Sequence, residues 1–399
     1  RIMQTKLVGN QSIIMHYFLA SAPYVITLLA AAFFLTVATL PSRSQSNKLC
    51  SSRSQNAYQN DGENLGIDMN LFYVKVYKAA STTSSGVVRR IAIRNGLNLA
   101  CENIPEIVHR DEPFVLAYHV KLSDLKPQIE NNLAKQVFLF TMIRDPVERC
   151  LSHFYYSQVT QRRPKGGKFV PTIRHKLQFA KIACNNFCAH FVEPTATAGE
   201  TQIGAKEPRK NYNGLQLSEQ KLALWGQLRR HQPIVVDQII SKYRFIGVAH
   251  RFEESMVLLA FQLRLTLCDI LVLKTKDSRA SAKNIYGQKM ASHPDLRQEP
   301  EEVQRFFNST AFLSANRHEY ELMAAAEAKM DALIAMVEDA GFSRALRAYR
   351  VLLDKAQLAC GAQAENYHDC LMDDHGCGQQ CLDRVCAAEN ATALQRWGQ

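Results

Sequence analysis

Two short stretches combine cations, hydroxyls and a following helix in the way a phosphorylated ligand requires. The first is Lys78-Ala-Ala80-Ser81-Thr82-Thr83-Ser84-Ser85, directly after the apolar run LFYVKVY at 71–77. A strand that turns into a helix leaves backbone N–H groups at the helix start, where an anion binds well. Lys78 adds a full positive charge, and the five hydroxyls add donors. The order differs from a Walker A loop, which places glycines before its lysine. The bland alternative is a Ser/Thr helix cap beside a solvated lysine.

The second stretch is RDPVERCLS at 144–152, directly after the uninterrupted apolar run QVFLFTMI at 136–143. A run of that kind reads as a strand buried on both faces of a parallel sheet. Ligands of open α/β sheets sit beyond the carboxyl ends of the strands, so Arg144 stands in the right place for a bidentate phosphate contact. Pro146 suits the first turn of a helix read from Pro146 to about Gln158, and Ser152 lies about two turns along it. The competing reading pairs Arg144 with Asp145 or Glu148. Each stretch alone has a bland explanation, whereas both together can face one ligand that carries two phosphate groups.

The elements around them alternate. Ser84–Arg94 reads as a helix with an apolar stripe of Val87, Val88, Ile91 and Ala92. FVLAYHV at 114–120, YRFIGVAH at 243–250 and CDILVLK at 268–274 read as further strands, Phe252–Leu263 as a helix and Ser309–Val337 as a long helical block. Strands interleaved with helices define an α/β fold, a parallel sheet flanked by helices with a phosphate site like that of a P-loop. The polar, basic segment 160–212 reads as a long surface insertion.

Length and composition agree. The chain has 399 residues, 47% hydrophobic and 21% charged, with a formal net charge of +11. That is globular rather than disordered, and it favours anionic partners. Residues 17–40 carry no charge and are long enough to cross ~30 Å of hydrocarbon as one helix preceding the folded part. Arg1 and Lys6 before this segment point to a cytoplasmic N-terminus (1–16) and a lumenal remainder, although Arg43, Lys48 and Arg53 after it pull the other way. Residues 41–70, rich in Ser, Gln and Asn, read as a stem. Asn308-Ser-Thr and Asn390-Ala-Thr are glycosylation acceptors in that topology. Five of the 11 cysteines, Cys360, Cys370, Cys377, Cys381 and Cys386, crowd the tail at 358–399. In a lumen they point to disulfides, with zinc ligation as the alternative. Cys184 and Cys188 suggest a further bridge, with each other or with a distant cysteine.

With these residues in view, the chain resembles the Golgi carbohydrate sulfotransferases, especially heparan sulfate 2-O-sulfotransferase and the galactose-3-O-sulfotransferases. KVYKAASTT at 75–83 looks like their K-x-x-K-T-A-S-T loop, and IRDPVERCLSHFYY at 143–156 is similar to their R-D-P-[IV]-x-R-x-x-S-x-Y-Y segment. FIGVAHRFEESMVLLAFQL at 245–263 resembles a third strand and helix. The resemblance implies a catalytic domain over about 71–357, with the cysteine-rich tail unaccounted for. It implies 3′-phosphoadenosine 5′-phosphosulfate as donor and no metal. Lys78 would touch the bridging and 5′-phosphate oxygens, and Ser81, Thr82 and Thr83, with Ala80 and Ser84 of the same loop, would line the 5′-phosphate. Arg144 and Ser152 would hold the 3′-phosphate. Ala79 and Tyr77 depart from the family's usual residues and blur the subfamily.

Transfer of a sulfonate to a hydroxyl needs a base, and the family's catalytic histidine sits at a strand end between the two donor motifs. His119 matches that place, 25 residues before Arg144, with His109 and His153 as the alternatives. Lys78 and His119 are thus the expected catalytic pair. The expected partners are a glycan acceptor, acidic if the basic residues Arg89, Arg90, Arg94, Arg162, Arg163, Lys165 and Lys168 contact it, and a Golgi membrane through the single helix. Nucleic acid is not expected. The rival readings are a non-catalytic lumenal glycan-binding protein on the same fold and a P-loop nucleotide-dependent kinase.

Overall fold

The strand β1 (Met69–Val74) is buried along nearly its whole length, and four other strands are built around it. The computed structural model describes residues 67, 69–100, 113–118, 136–160, 170–184, 191, 236–273, 294–364 and 378–389, all within one compact unit, Asn60–Gln399. The N-terminus at 1–16, the apolar segment 17–40 and nearly all of the stem lie outside these residues. Among the described residues, no helix is long and apolar enough to cross a membrane.

β1 pairs in parallel with β3 (Phe114–Tyr118), placing Val74 beside Tyr118. On its other edge it pairs in parallel with β4 (Gln136–Ile143), placing Val74 beside Thr141. β2 (Asn98–Ala100) extends the sheet beyond β3, and β5 (Phe245–Val248) extends it beyond β4. The order β2-β3-β1-β4-β5 fixes where a ligand fits. From β1 the chain crosses toward β2, and from β4 it crosses the opposite way toward β5. The carboxyl ends of β1 and β4 therefore flank a topological switch point, the crevice that parallel α/β sheets use for ligands. The pair is held by Tyr73 stacked on Phe140, ring centroids 5.1 Å apart, and by the buried Thr141 hydroxyl donating to the Val74 carbonyl at 2.8 Å.

Helices cover the sheet because their apolar stripes match it. α1 (Ser81–Arg94) buries Val87, Val88, Ile91 and Ala92, the stripe read from the sequence. After β4 comes α2 (Pro146–Phe154), continued by a π-helical segment, Tyr155–Thr160. α3 (Ile173–Ala183) and α4 (Val236–Lys242) follow, then α5 (Phe252–Leu263), with the bounds its periodicity predicts. Ser255 on α5 accepts from the Val248 amide at 2.9 Å and so closes the end of β5. α6 (Glu301–Phe307), α7 (Thr310–Ala315), α8 (Arg317–Val337), α9 (Phe342–Ala364) and α10 (Gln379–Ala388) complete the described part.

A second apolar cluster joins α2, α3, α6 and α7 through Val147, Leu151, Phe154, Phe179, Val303, Phe307 and Phe312. The Cys150–Cys184 disulfide crosses it. The described part of segment 160–212 is thus no surface excursion: α3 turns Phe179 and Ala180 into this cluster, and Thr172 caps it by accepting from the His175 amide. Two other expectations need correction. Residues 268–273 are no strand: the chain turns at 266–269, where Asp269 accepts from the amide and hydroxyl of Thr266 and its own amide donates back to the Thr266 carbonyl, and 271–273 follow without regular structure. The block 309–337 is two helices divided at Asn316, whose side chain donates to the Phe312 carbonyl at 2.9 Å.

Arg149 on α2 pairs with Glu319 on α8 at 2.7 Å, both side chains buried. Removing one partner strands the other's charge in the interior. We expect Glu319→Ala to cost about 3–5 kcal/mol in denaturant unfolding; a loss below about 1 kcal/mol, the range of an exposed pair, would show that water screens it.

Candidate active site

The loop after β1 is bent by two residues in the left-handed region, Lys78 at φ 63° and Ala80 at φ 55°. Neither is glycine, so each conformation costs about 1–2 kcal/mol of local strain that the buried Ala79 between them helps to hold. The turn delivers the chain into α1 with Ala80 as its N-cap. No side chain caps this end, and no acidic residue occupies its first turn. The helical ladder opens with the Ser84 amide donating to the Ala80 carbonyl at 3.0 Å, so the amides of Ser81, Thr82 and Thr83 precede it. An uncapped helix start with no carboxylate in its own first turn is electropositive and suited to an anion. The Ser84 hydroxyl donates to the Ala80 carbonyl at 3.1 Å and steadies the turn. Ser85 is fully buried one residue further along.

The loop after β4 lies against it. Arg144 Nη1 donates to the Lys78 carbonyl at 3.4 Å, while its Nη2 pairs with Glu148 at 2.9 Å. Both readings of Arg144 therefore hold at once: it pairs with Glu148, and it touches the other loop. Asp145 does not compete for it as an ion partner, because its carboxylate caps α2 by accepting from the Glu148 amide, with Pro146 opening the helix. Ser152 lies two turns along α2, 8% exposed.

Lys78 also meets the π-helical segment. Its ammonium stands 4.0 Å from the centre of the Tyr156 ring, an attractive cation–π geometry. π-turns are rare and frequent at functional sites; this one carries Tyr156 to the Lys78 side of the crevice. Next to it, His153 packs edge-on against Phe179. Burial, then the charges of Arg149 and Lys78, push its pKa from 6.5 down to about 4, so the imidazole is neutral near pH 7.

Of the residues expected at the site, Lys78, Ala80 and Ser81–Ser84 share one loop and helix start, Arg144 reaches that loop, and Ser152 follows on the helix after Arg144. His119 and His109 lie outside the described residues, as do Arg162, Arg163, Lys165 and Lys168. Arg90 and Arg94 are not available to an acidic glycan. Arg90 is buried and Arg94 largely so, and both are paired with Asp383, with Asp269 as a second partner of Arg94. Among the described residues, no cluster of His, Cys, Asp and Glu is arranged to hold a metal ion. Among the described tail cysteines, Cys386 is bonded to Cys268 and Cys360 to Cys381; Cys370 and Cys377 lie outside the described residues. The Lys78–Tyr156 contact was not foreseen; the YY pair at 155–156 was visible, but the π-turn that aims it was not.

A parallel α/β sheet with two basic strand-to-helix loops meeting at its switch point has the architecture of a site suited to a phosphorylated ligand. A model described as "Sulfotransferase family" matches residues 67–267, half of the 399 residues, and the chain belongs to that family. The match spans both loops and all five strands. A comparison with curated proteins finds no match.

Two outcomes are expected. Valine is poorly tolerated at positive φ, so Ala80→Val should destabilise the loop by about 1–3 kcal/mol, seen as a lowered melting temperature with weakened nucleotide binding; an unchanged melting temperature would mean that the turn relaxes freely. His153 stays neutral in the folded state while the unfolded chain takes up a proton below pH 6.5. Stability should therefore fall as the pH drops from about 6.5 to 4, by up to ~1.4 kcal/mol per pH unit. His153→Gln should flatten that part of the pH profile.

Proposed function

We propose that the protein transfers a sulfonate group from 3′-phosphoadenosine 5′-phosphosulfate to a hydroxyl of a glycan. The observation that carries this reading is the contact of Arg144 with the Lys78 carbonyl, which joins two loops 66 residues apart in sequence at the switch point of a sulfotransferase-family sheet. In this reading Lys78, Ala80, the hydroxyls of Ser81, Thr82 and Thr83, and Ser84 surround the 5′-phosphate at the start of α1. Arg144 and Ser152 hold the 3′-phosphate, with Arg144 exchanging Glu148 for the ligand. A ligand phosphate competes well for a guanidinium in a carboxylate pair, because both bind it through the same forked geometry.

His119 takes the proton from the acceptor hydroxyl. The acceptor oxygen then attacks sulfur in line, the bond from sulfur to the phosphate oxygen breaks, and its electron pair stays on the departing nucleotide bisphosphate. Lys78 stabilises the charge that grows there. β3 ends at Tyr118, beside Val74 of β1, and His119 follows it in the sequence. That register supports the assignment.

The compartment proposed is the Golgi lumen, with residues 17–40 as a signal anchor. Three disulfides among the described residues fit an oxidising compartment, and Asn308, a sequon asparagine, is exposed at the end of α6.

The direct test is transfer of labelled sulfonate from the donor across a panel of glycans. Lys78→Ala should lower kcat about 10²–10³-fold, as loss of one oxyanion donor does. Arg144→Ala should raise the donor KM about tenfold to a hundredfold, the loss of a charge-assisted hydrogen bond. Folded wild-type protein that binds neither the donor nor its bisphosphate product would overturn the reading. His119→Ala with near wild-type turnover would overturn the base assignment alone.

A further inference from the structure

The family match stops at Leu267, yet the chain beyond it returns to the helix that carries the phosphate loop. We propose that the cysteine-bridged C-terminal helix α10 is a clamp on α1, and that Asp383 is a positioning residue for the Lys78–Ser85 loop. The functional side of this inference rests on the donor reading above.

Asp383 sits between two arginines of α1. One of its oxygens accepts from Arg90 Nη2 at 2.7 Å and from Arg94 Nη1 at 3.0 Å. Arg90 is 1% exposed and its other donors are also occupied. Nε donates to the Cys268 carbonyl at 2.6 Å, and Nη1 donates to Gln379 Oε1, the first residue of α10, at 2.7 Å. Arg94 Nε completes the set on Asp269 at 2.7 Å. Burial lowers the pKa of Arg90 while the Asp383 charge opposes that shift, so the carboxylate offsets part of the cost of burying the guanidinium.

The clamp is also built covalently and sterically. Cys268–Cys386 ties the far end of α10 to the residue that follows the family segment, and Cys360–Cys381 ties its near end to α9. The chain enters α10 through Gly378 at φ 69°, where a side chain would stand 2.8 Å from Leu273. Cys381, Leu382 and Cys386 are buried against the core. α10 is therefore docked by two disulfides, a glycine-only approach and a charge lattice, and every arginine in that lattice belongs to α1.

The consequence lies at the other end of α1. Arg90 is nine residues past Ser81, roughly 13 Å along a rigid rod. The rod's direction sets where the amides of Ser81–Thr83 point and how Ala80 meets Lys78. Loss of Asp383 leaves two adjacent guanidinium groups without their shared carboxylate, one of them in the interior, and α1 must shift to hydrate them. The strained turn at 78–80 moves with it.

Amide hydrogen exchange on the full ligand-free chain reads this without reference to any ligand. In Asp383→Asn, exchange over residues 78–85 should rise several-fold while β4 peptides at 136–143 keep wild-type protection. Asp383→Glu should restore most of that protection. In binding assays with 3′-phosphoadenosine 5′-phosphate, the dissociation constant of Asp383→Asn should rise about tenfold, in the range of coupling between separate sites, with the acceptor KM unchanged. Should Asp383→Asn not fold, Gln379→Ala, which removes a single neutral contact to Arg90, should show the same pattern more weakly. Unchanged exchange at 78–85, or equal loosening of 78–85 and β4, overturns the clamp. Selective loosening without nucleotide binding by the wild type upholds the clamp and overturns the donor reading.

Discussion

The parallel pairing of β1 with β4 is the constraint on which the rest depends. It sets Val74, the last residue of β1, beside Thr141, two residues before β4 ends at Ile143, so the two loops leave the same end of the sheet from neighbouring strands. β1 then crosses one way and β4 the other, which makes their carboxyl ends a switch point of the kind that binds ligands. A lysine four residues past one strand and an arginine directly past the other become neighbours through backbone register alone. Had either strand slipped by one residue, its side chains would have exchanged faces, and the loops would no longer meet.

Electrostatics divides the cations of this molecule into two groups. Arg90, Arg94 and Arg149 are built into buried or half-buried lattices with Asp383, Asp269 and Glu319. These hold helices together and cannot reach a ligand without leaving a charge unpaired in the interior. Lys78 and Arg144 are held differently. Lys78 lies over the face of Tyr156, and Arg144 rests on a part-exposed glutamate and a long bond to a carbonyl. Such contacts are weak enough to exchange for a phosphate. The formal charge of +11 says little about this division, since the pairing of each cation decides its role.

Much of this was legible in the sequence where the signal was local. The run at 136–143 is a strand with the expected bounds, and α5 begins at Phe252 and ends at Leu263 as its periodicity requires. The Lys78–Ser85 loop and Arg144 were visible because strand, cation and helix follow one another within a few residues. Long-range partners were not legible. The arginines of α1 looked like a surface patch, because nothing near them in sequence announces Asp383 almost 300 residues away. The run at 268–274 has the composition of a strand, but Asp269 turns the chain there and Cys268 bonds to Cys386. α3 looked like part of a polar insertion because its apolar face, with Phe179 and Ala180 buried in the second cluster, is interspersed with Arg174, His175, Lys176, Gln178 and Lys181.

The central claim is that the two loops hold one ligand. A double-mutant cycle on the affinity for 3′-phosphoadenosine 5′-phosphate, built from Lys78→Ala, Arg144→Ala and the double variant, tests it most directly. Two side chains that share one ligand should be coupled by about 0.5–3 kcal/mol. Strict additivity, or nucleotide binding that neither substitution weakens, would contradict it.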